Sequence, residues 1–586
     1  MNFLKNLLAA ILGCLFAFGI IFVMFFLFAS LLGSSEESVV VKNNSVLELQ
    51  LQSPIRDYVG NSDDDPFALF TQNSKGMDEI VNAIAVAKED NDIKGVSINN
   101  TFLMAGFAQA QELRRALEDF KESRKFIYTY GDFYMQKDYY LASVADSIFL
   151  NPVGGLDFKG LSSEVLFFKD LQEKTGVKME VIRHGKYKSA VEPFLSNEMS
   201  DANRTQIKEL IGSLWNSMID EMALGRNISA ENLNVIADTL GGRTPELAKT
   251  NGLIDGIAFY DEYENSLKRA TGISDSEDLN IIKLDDYLRR SNTKNKKVGK
   301  DKIAVIFAQG QILYGEGGRD IIGQGIINKA IRKAKDDKRV KAIVLRVDSP
   351  GGSALVSDII WREIELAKKE KPVVVSMGNV AASGGYYIAA GADKIFAEPT
   401  TITGSIGVFG TIPNLAQLAG DIGINAEQVG TNKNAVDYSL FEPMTDQFRG
   451  LVQESIEEVY ETFLSRVSAG RGISIAAADS LAQGRVWSGV DAKRLGLVDE
   501  LGNLDDAIVE AAKMANVVDY GIRKLPRYKS GFEKLMEDLG GVSAEAKQDF
   551  IEGEIGSEAY GILKQVKYAM EQKGPQARMP FVLNIK

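Results

Sequence analysis

Apolar residues along this chain fall into two rhythms. Short runs such as Ile303–Phe307, Ala342–Val347 and Val373–Ser376 show no polar alternation, the pattern of strands buried on both faces. Between them, Ile326–Ala334 and Ser353–Lys369 carry apolar residues at helical spacing, and Gly384–Ala390 starts a further helix. This alternation predicts an α/β fold with a parallel or mostly parallel sheet of βαβ units. An entry strand is expected at Val46–Leu51. Residues 285–300, DDYLRRSNTKNKKVGK, are charged and poor in apolar positions and read as a linker. The expected organisation is one domain over 45–284, the linker, a second domain over 301–515, and a helical tail over 516–586. Amphipathic stretches at Phe532–Leu539 and Tyr560–Met570 would form the helices of that tail.

The N-terminus follows a different rule. No charged residue lies between Asn6 and Ser35, and Leu7–Leu32 is almost wholly apolar over 26 residues. About 20 suffice to cross a bilayer, and a cleaved signal peptide has a shorter apolar core of roughly 7–15. An uncleaved transmembrane anchor over 7–32 is expected. Lys5 before it and Glu36-Glu37 after it orient the N-terminus to the cytoplasm and the rest of the chain outside. The single cysteine, Cys14, lies in this segment, so no intramolecular disulfide forms.

The chain repeats itself. Residues 126–152 and 373–399 align without a gap at an offset of 247. Gly131/Gly378, Tyr139/Tyr386, Tyr140/Tyr387, Asp146/Asp393, Phe149/Phe396 and Pro152/Pro399 are among the identities. The likeness continues from Gly185–Glu192 to Gly430–Asp437 and from Ala248–Asp255 to Ala492–Asp499. At two places the copies part. The second has Ser383-Gly384-Gly385 where the first has Gln136-Lys137-Asp138, and Gly351-Gly352 where the first has Met104-Ala105.

Composition narrows the function. A net charge of −13 argues against a nucleic-acid partner. One histidine in the whole chain, His184, excludes a His-rich metal site, and no cofactor motif stands out. The turns Asp348–Ser353 and Ala381–Gly385 follow strands, where α/β proteins build their sites. There Ser383 could act as a nucleophile, with the N–H groups of Gly384 and of Gly351 or Gly352 holding an oxyanion. Ser-Gly-Gly also suits an N-cap and a tight turn, but the joint loss of both elements in the first copy favours chemistry.

A serine nucleophile needs a base. His184 is one candidate, but its counterpart in the second copy is Val429. Lysine is the other route. To serve near neutral pH it must lose roughly 3 pKa units, about 4 kcal/mol of disfavoured charge, through burial or a neighbouring cation. Lys186 and Lys188 sit two apart and share a side if the stretch is extended, but not if it turns. Gly315–Gly318, GEGG, lacks the spacing of a dinucleotide loop.

Four segments together, GKYKSAVEPF (185–194), DSPGG (348–352), ASGGYY (382–387) and TGSIGV (403–408), resemble the signal peptide peptidase A family in its long, duplicated, membrane-anchored form. The resemblance covers nearly the whole chain. It implies a serine endopeptidase with a Ser/Lys dyad and a crotonase/ClpP-like fold in both halves. It further implies a homotetramer on the periplasmic side of the bacterial inner membrane, and remnant signal peptides as substrates. Carried over by motif, Ser383 is the nucleophile and Lys188 the general base. Lys433 aligns with Lys188 and follows Ser383 by 50 residues, an arrangement resembling the short members of the family. Ser405 is placed to assist the lysine or to cap a turn. An acyl-CoA hydratase or hydrolase, or a non-catalytic membrane scaffold, are the alternative functions.

Overall fold

The computed structural model describes residues 40–60, 75–100, 102–274, 276–294, 299–432, 434–435, 438–528 and 576–579, with isolated positions before residue 40. All but isolated positions of the anchor expected over 7–32, and the tail helices expected at 532–539 and 560–570, lie outside the described residues. Among the described residues no helix is long and apolar enough to cross a membrane.

Two sheets, the first parallel and the second mostly parallel, carry the two copies. The first runs in the order Gly256–Ile257, Ser147–Leu156, Phe126–Tyr134, Ile93–Asn99, Ser45–Leu49, Ile281–Lys283. The entry strand ends at Leu49, and the Leu51 N–H turns instead to Asn100 Oδ1 at 3.1 Å. The second sheet is built on Val373–Ala382, Val340–Ser349 and Asp301–Gln309, flanked by Ile402–Gly404 and Tyr520–Leu525. Ile303 to Ala308 is wholly buried, because helices cover both faces of this sheet. Each half has its own large apolar core, around Ile306, Leu345 and Val375 in one and Leu47, Val96 and Ile127 in the other.

The duplication extends to individual hydrogen bonds. Ile148 N–H donates to Asp255 and Ile395 N–H to Asp499, each at 2.8 Å. Arg226 holds the first carboxylate and Arg471 the second. Tyr139 donates to the Leu253 carbonyl and Tyr386 to that of Leu497, at 2.9 and 2.8 Å.

Most of the stretch read as a linker is a helix, Leu284–Lys294. Its few apolar residues share one face. Leu284 and Tyr287 are buried in the first core, and Tyr287 donates to Asp90 at 3.0 Å. The low apolar count hid a narrow amphipathic stripe.

A third sheet joins the halves. Lys178–His184 of the first copy runs antiparallel to Val408–Asn414 of the second, from Lys178 opposite Asn414 to His184 opposite Val408. The first copy's helix Phe107–Lys121 also leans on the second half, where Gln111 accepts from Thr400 and Arg115 pairs with Glu398. Beneath this contact Arg346 is buried between Asp57, at 2.6 Å, and Glu112, at 2.8 Å, both from the first copy.

Candidate active site

Ser383 sits between the strand Val373–Ala382 and the helix Gly384–Ala389. Its backbone has φ +56° and ψ −115°, a region that residues with a side chain seldom adopt. The corner is held from both sides: Ser383 N–H donates to the Gly404 carbonyl and Tyr387 N–H to that of Ser383, each at 2.8 Å. In the first copy the same junction has relaxed. Met135, the residue before that helix, has φ −68°. Gln136 there is a clamp, accepting from the N–H groups of Lys159 and Gly160 and donating to the Gly160 carbonyl. The position that carries a hydroxyl in one half ties down a loop in the other.

Lys188 arrives from the opposite half. Its strand, Lys178–His184, ends at Gly185, whose φ of +110° turns the chain. The turn sends Lys186 to the surface and Lys188 fully inside. Tyr187 N–H donates to the Gln483 carbonyl at 2.8 Å, and Gln206 holds the Tyr187 carbonyl and the Ser189 hydroxyl. Gly484, with φ +79°, makes room for this passage; a Cβ there would lie 2.6 Å from Lys188 Cβ.

The two residues meet. Lys188 Nζ lies 2.9 Å from Ser383 Oγ, 3.0 Å from Ser405 Oγ and 3.1 Å from the Ser405 carbonyl oxygen. All three residues are buried. Burial drives the Lys188 pKa well below the usual 10.5, and the nearby Arg578 guanidinium lowers it further. A neutral amine has two N–H bonds and one lone pair. With the N–H bonds donated to the Ser405 carbonyl and hydroxyl, the lone pair is left for the Ser383 hydroxyl.

Gly351 and Gly352 lie beside this pair, with φ of +96° and +152°. A Cβ on Gly351 would stand 2.8 Å from the Gly384 nitrogen, and one on Gly384 3.2 Å from the Gly352 nitrogen. The three candidate oxyanion residues are thus neighbours. Gly351 N–H already donates to Ser349 Oγ at 3.1 Å, which makes Gly352 the better partner for Gly384. Asp348, in the same turn, accepts from Val380 N–H at 2.9 Å; burial, then the charge of Asp57, pushes it up to about 7.

His184 stands apart, its ring stacked on Tyr460 with centroids 4.0 Å apart. Lys433 lies outside the described residues. Ser405, for which assisting the lysine was one expected role, accepts from Lys188 at two points. Two parts of the site were not foreseen: the contact from Gln483-Gly484 and the strand Gln576–Arg578. An isolated glycine in AQGRVW was a weak signal for the first. Nothing in the local sequence signalled the second.

Comparison with known proteins points to one family. The model of peptidase family S49 matches twice, over residues 119–274 and 365–518. Protease 4 of Haemophilus influenzae is 39% identical over 448 residues, covering 75% of this chain and 73% of that protein. Protease 4 of Salmonella typhi is 37% identical over 519 residues, covering 86% and 83%. The chloroplastic serine protease SPPA of Arabidopsis thaliana is 32% identical over 557 residues, covering 93% and 78%.

Proposed function

The chain belongs to peptidase family S49 and is a serine protease, and from that premise we propose that it is a membrane-anchored endopeptidase that degrades remnant signal peptides with a Ser383/Lys188 dyad. The observation that carries the dyad is the 2.9 Å approach of a buried Lys188 Nζ to Ser383 Oγ. Ser383 Oγ attacks the peptide carbonyl as its proton passes to the Lys188 lone pair. The developing oxyanion takes hydrogen bonds from Gly384 N–H and from Gly352 or Gly351 N–H. The lysine, now charged, returns the proton to the leaving amine, and a water repeats the sequence on the acyl-enzyme. Ser405 keeps Nζ aimed throughout.

The apolar segment over 7–32 supports an anchor in the bacterial inner membrane, with both halves on the periplasmic side. Such an anchor would hold the site beside the bilayer, where spent signal peptides reside. The crotonase/ClpP-like class of both halves, and assembly into a homotetramer, are part of the same reading.

A fluorophosphonate probe tests the nucleophile. A covalent adduct is expected on Ser383 and absent in Ser383→Ala; an adduct that persists in the variant overturns the assignment. Assays on casein and on acyl-CoA thioesters separate the enzyme classes: peptide cleavage is expected, and thioester turnover alone would reverse the reading.

The protonation of Lys188 sets a pH dependence. Its pKa is lowered in the folded protein, so the active, neutral form is populated well below pH 10.5. kcat/KM is expected to fall on the acid side as the lysine takes up a proton, with a limb below the ordinary lysine range. Between that lowered value and 10.5 the unfolded chain binds the extra proton. This residue's contribution to stability therefore rises with pH across that window. A pH–rate profile measured alongside thermal melts checks both. An acid limb at the ordinary lysine pKa would contradict the desolvated base.

A further inference from the structure

The strands that carry the two reactive turns fall out of step just before them. Val340–Ser349 pairs with Val373–Ala382 as Val347 opposite Met377, and then as Ser349 opposite Ala381. Asp348 alone therefore faces Gly378, Asn379 and Val380. This is a bulge, a device that bends a strand and re-aims the residues beyond it. Beyond it lie Gly351-Gly352 on one strand and Ser383 on the other. The Asp348 carboxylate spans the bulge, accepting from Val380 N–H at 2.9 Å and from Asn379 Nδ2 at 3.3 Å. Gly378 lets it close: a Cβ there would lie 2.8 Å from Asp57 Oδ2 and 3.0 Å from Asp348 Cβ.

Asn379 is held in turn by the first half. The helix Phe107–Lys121 starts after Gly106, which has no side chain to cap it. Asn379 Oδ1 takes that place from the other half, accepting from Gln109 N–H at 3.0 Å. A Cβ on Gly106 would stand 2.1 Å from Asn379 Oδ1. With φ of −73°, the Gly106 backbone would suit any residue, so the glycine serves this contact. Gln109 Nε2 donates to Asp57 at 2.9 Å, and Arg346 Nε donates to the same carboxylate at 2.6 Å, two residues before Asp348. The contacts from Asp348 through Asn379, Gln109 and Asp57 to Arg346 thus form a ring across the two halves. In the first copy the residue aligned with Asn379 is Asp132, which accepts from Tyr130 and Asn151 of its own half. The ring is built around the half that carries the serine.

We infer that Asn379 and Asp348 are positioning residues for peptide hydrolysis: through them the docked helix Phe107–Lys121 fixes the bulge that aims Ser383 and the Gly351-Gly352 turn. The inference rests on the peptidase reading above. The first half then sets the frame of the nucleophile as well as supplying Lys188.

Two variants break the ring from opposite sides. Asn379→Ala removes both side-chain bonds, and Gly106→Ala drives Asn379 off the helix without altering the second half. Each is expected to lower kcat on a fluorogenic peptide about tenfold or more, with KM within about twofold, and to slow fluorophosphonate labelling of Ser383 in step. The double variant should be no worse than Asn379→Ala alone, because both changes act through one contact. Thr400→Val is the control. It cuts the 2.9 Å bond from Thr400 to Gln111 in the same contact between halves but leaves the bulge alone. Its kcat should stay within about twofold of the wild type. For Asn379→Ala or Gly106→Ala, kcat within about twofold of the wild type in a variant that melts cooperatively overturns the inference. An equal loss in Thr400→Val also overturns it, by assigning the effect to docking in general. A wild type that takes up no fluorophosphonate at Ser383 sinks the dyad and this inference with it.

Discussion

Lys188→Met is expected to lower kcat/KM for peptide hydrolysis by roughly 10⁴-fold or more, with the loss in kcat. Methionine keeps the length and apolar body of the side chain but has no lone pair basic enough to take the Ser383 proton. Ser383→Ala should fall about as far. The double variant should be no worse than either single one, because a nucleophile and its base act as a unit and their losses do not add. The measurement is steady-state hydrolysis of a fluorogenic peptide at the pH optimum, with thermal melts to verify that each variant is folded. Lys433→Ala, which touches the aligned lysine of the second copy, should retain activity. If Lys433→Ala is dead while Lys188→Met works, the base has been misassigned.

The second large effect falls on stability. Arg346→Met is expected to destabilise the contact between the halves by about 3–5 kcal/mol. Arg346 lies between Asp57 and Glu112, and all three are buried, so its removal leaves two carboxylates without their shared cation. Burial already lifts the Glu112 carboxyl above its usual range, with Arg346 pulling it back. Neutralising the partners as well, in Arg346→Met with Asp57→Asn and Glu112→Gln, should recover a large part of the loss, because the cost comes from the unpaired charges. The first unfolding transition in urea measures both. Equal stability of Arg346→Met and the wild type would show that the triad does not hold the halves together.

How much of this was legible depends on the range of the interaction. Ile303–Phe307 and Ala342–Val347 read as strands because a sheet covered on both faces needs uninterrupted apolar runs, a local rule. The Leu284–Lys294 helix did not, because a stripe of Leu284, Tyr287 and Leu288 is thin beside its charges. The approach of Lys188 to Ser383 spans 195 residues of sequence. It depends on the register of Lys178–His184 against Val408–Asn414, and no local pattern encodes the register of two strands from different halves. Only the motif resemblance joined them. The tail strand was hidden for the same reason: Gln576–Arg578 pairs with backbone, and backbone pairing leaves little trace in side-chain choice.

The pairing of Lys178–His184 with Val408–Asn414 also bears on how the protein is made. Translation delivers Lys188 first and Ser383 almost two hundred residues later. A growing chain with only its first half folded holds a lysine with no serine to activate. A stray second half would hold Ser383 without Lys188. On the proposed dyad, cutting power would begin only when the two halves dock.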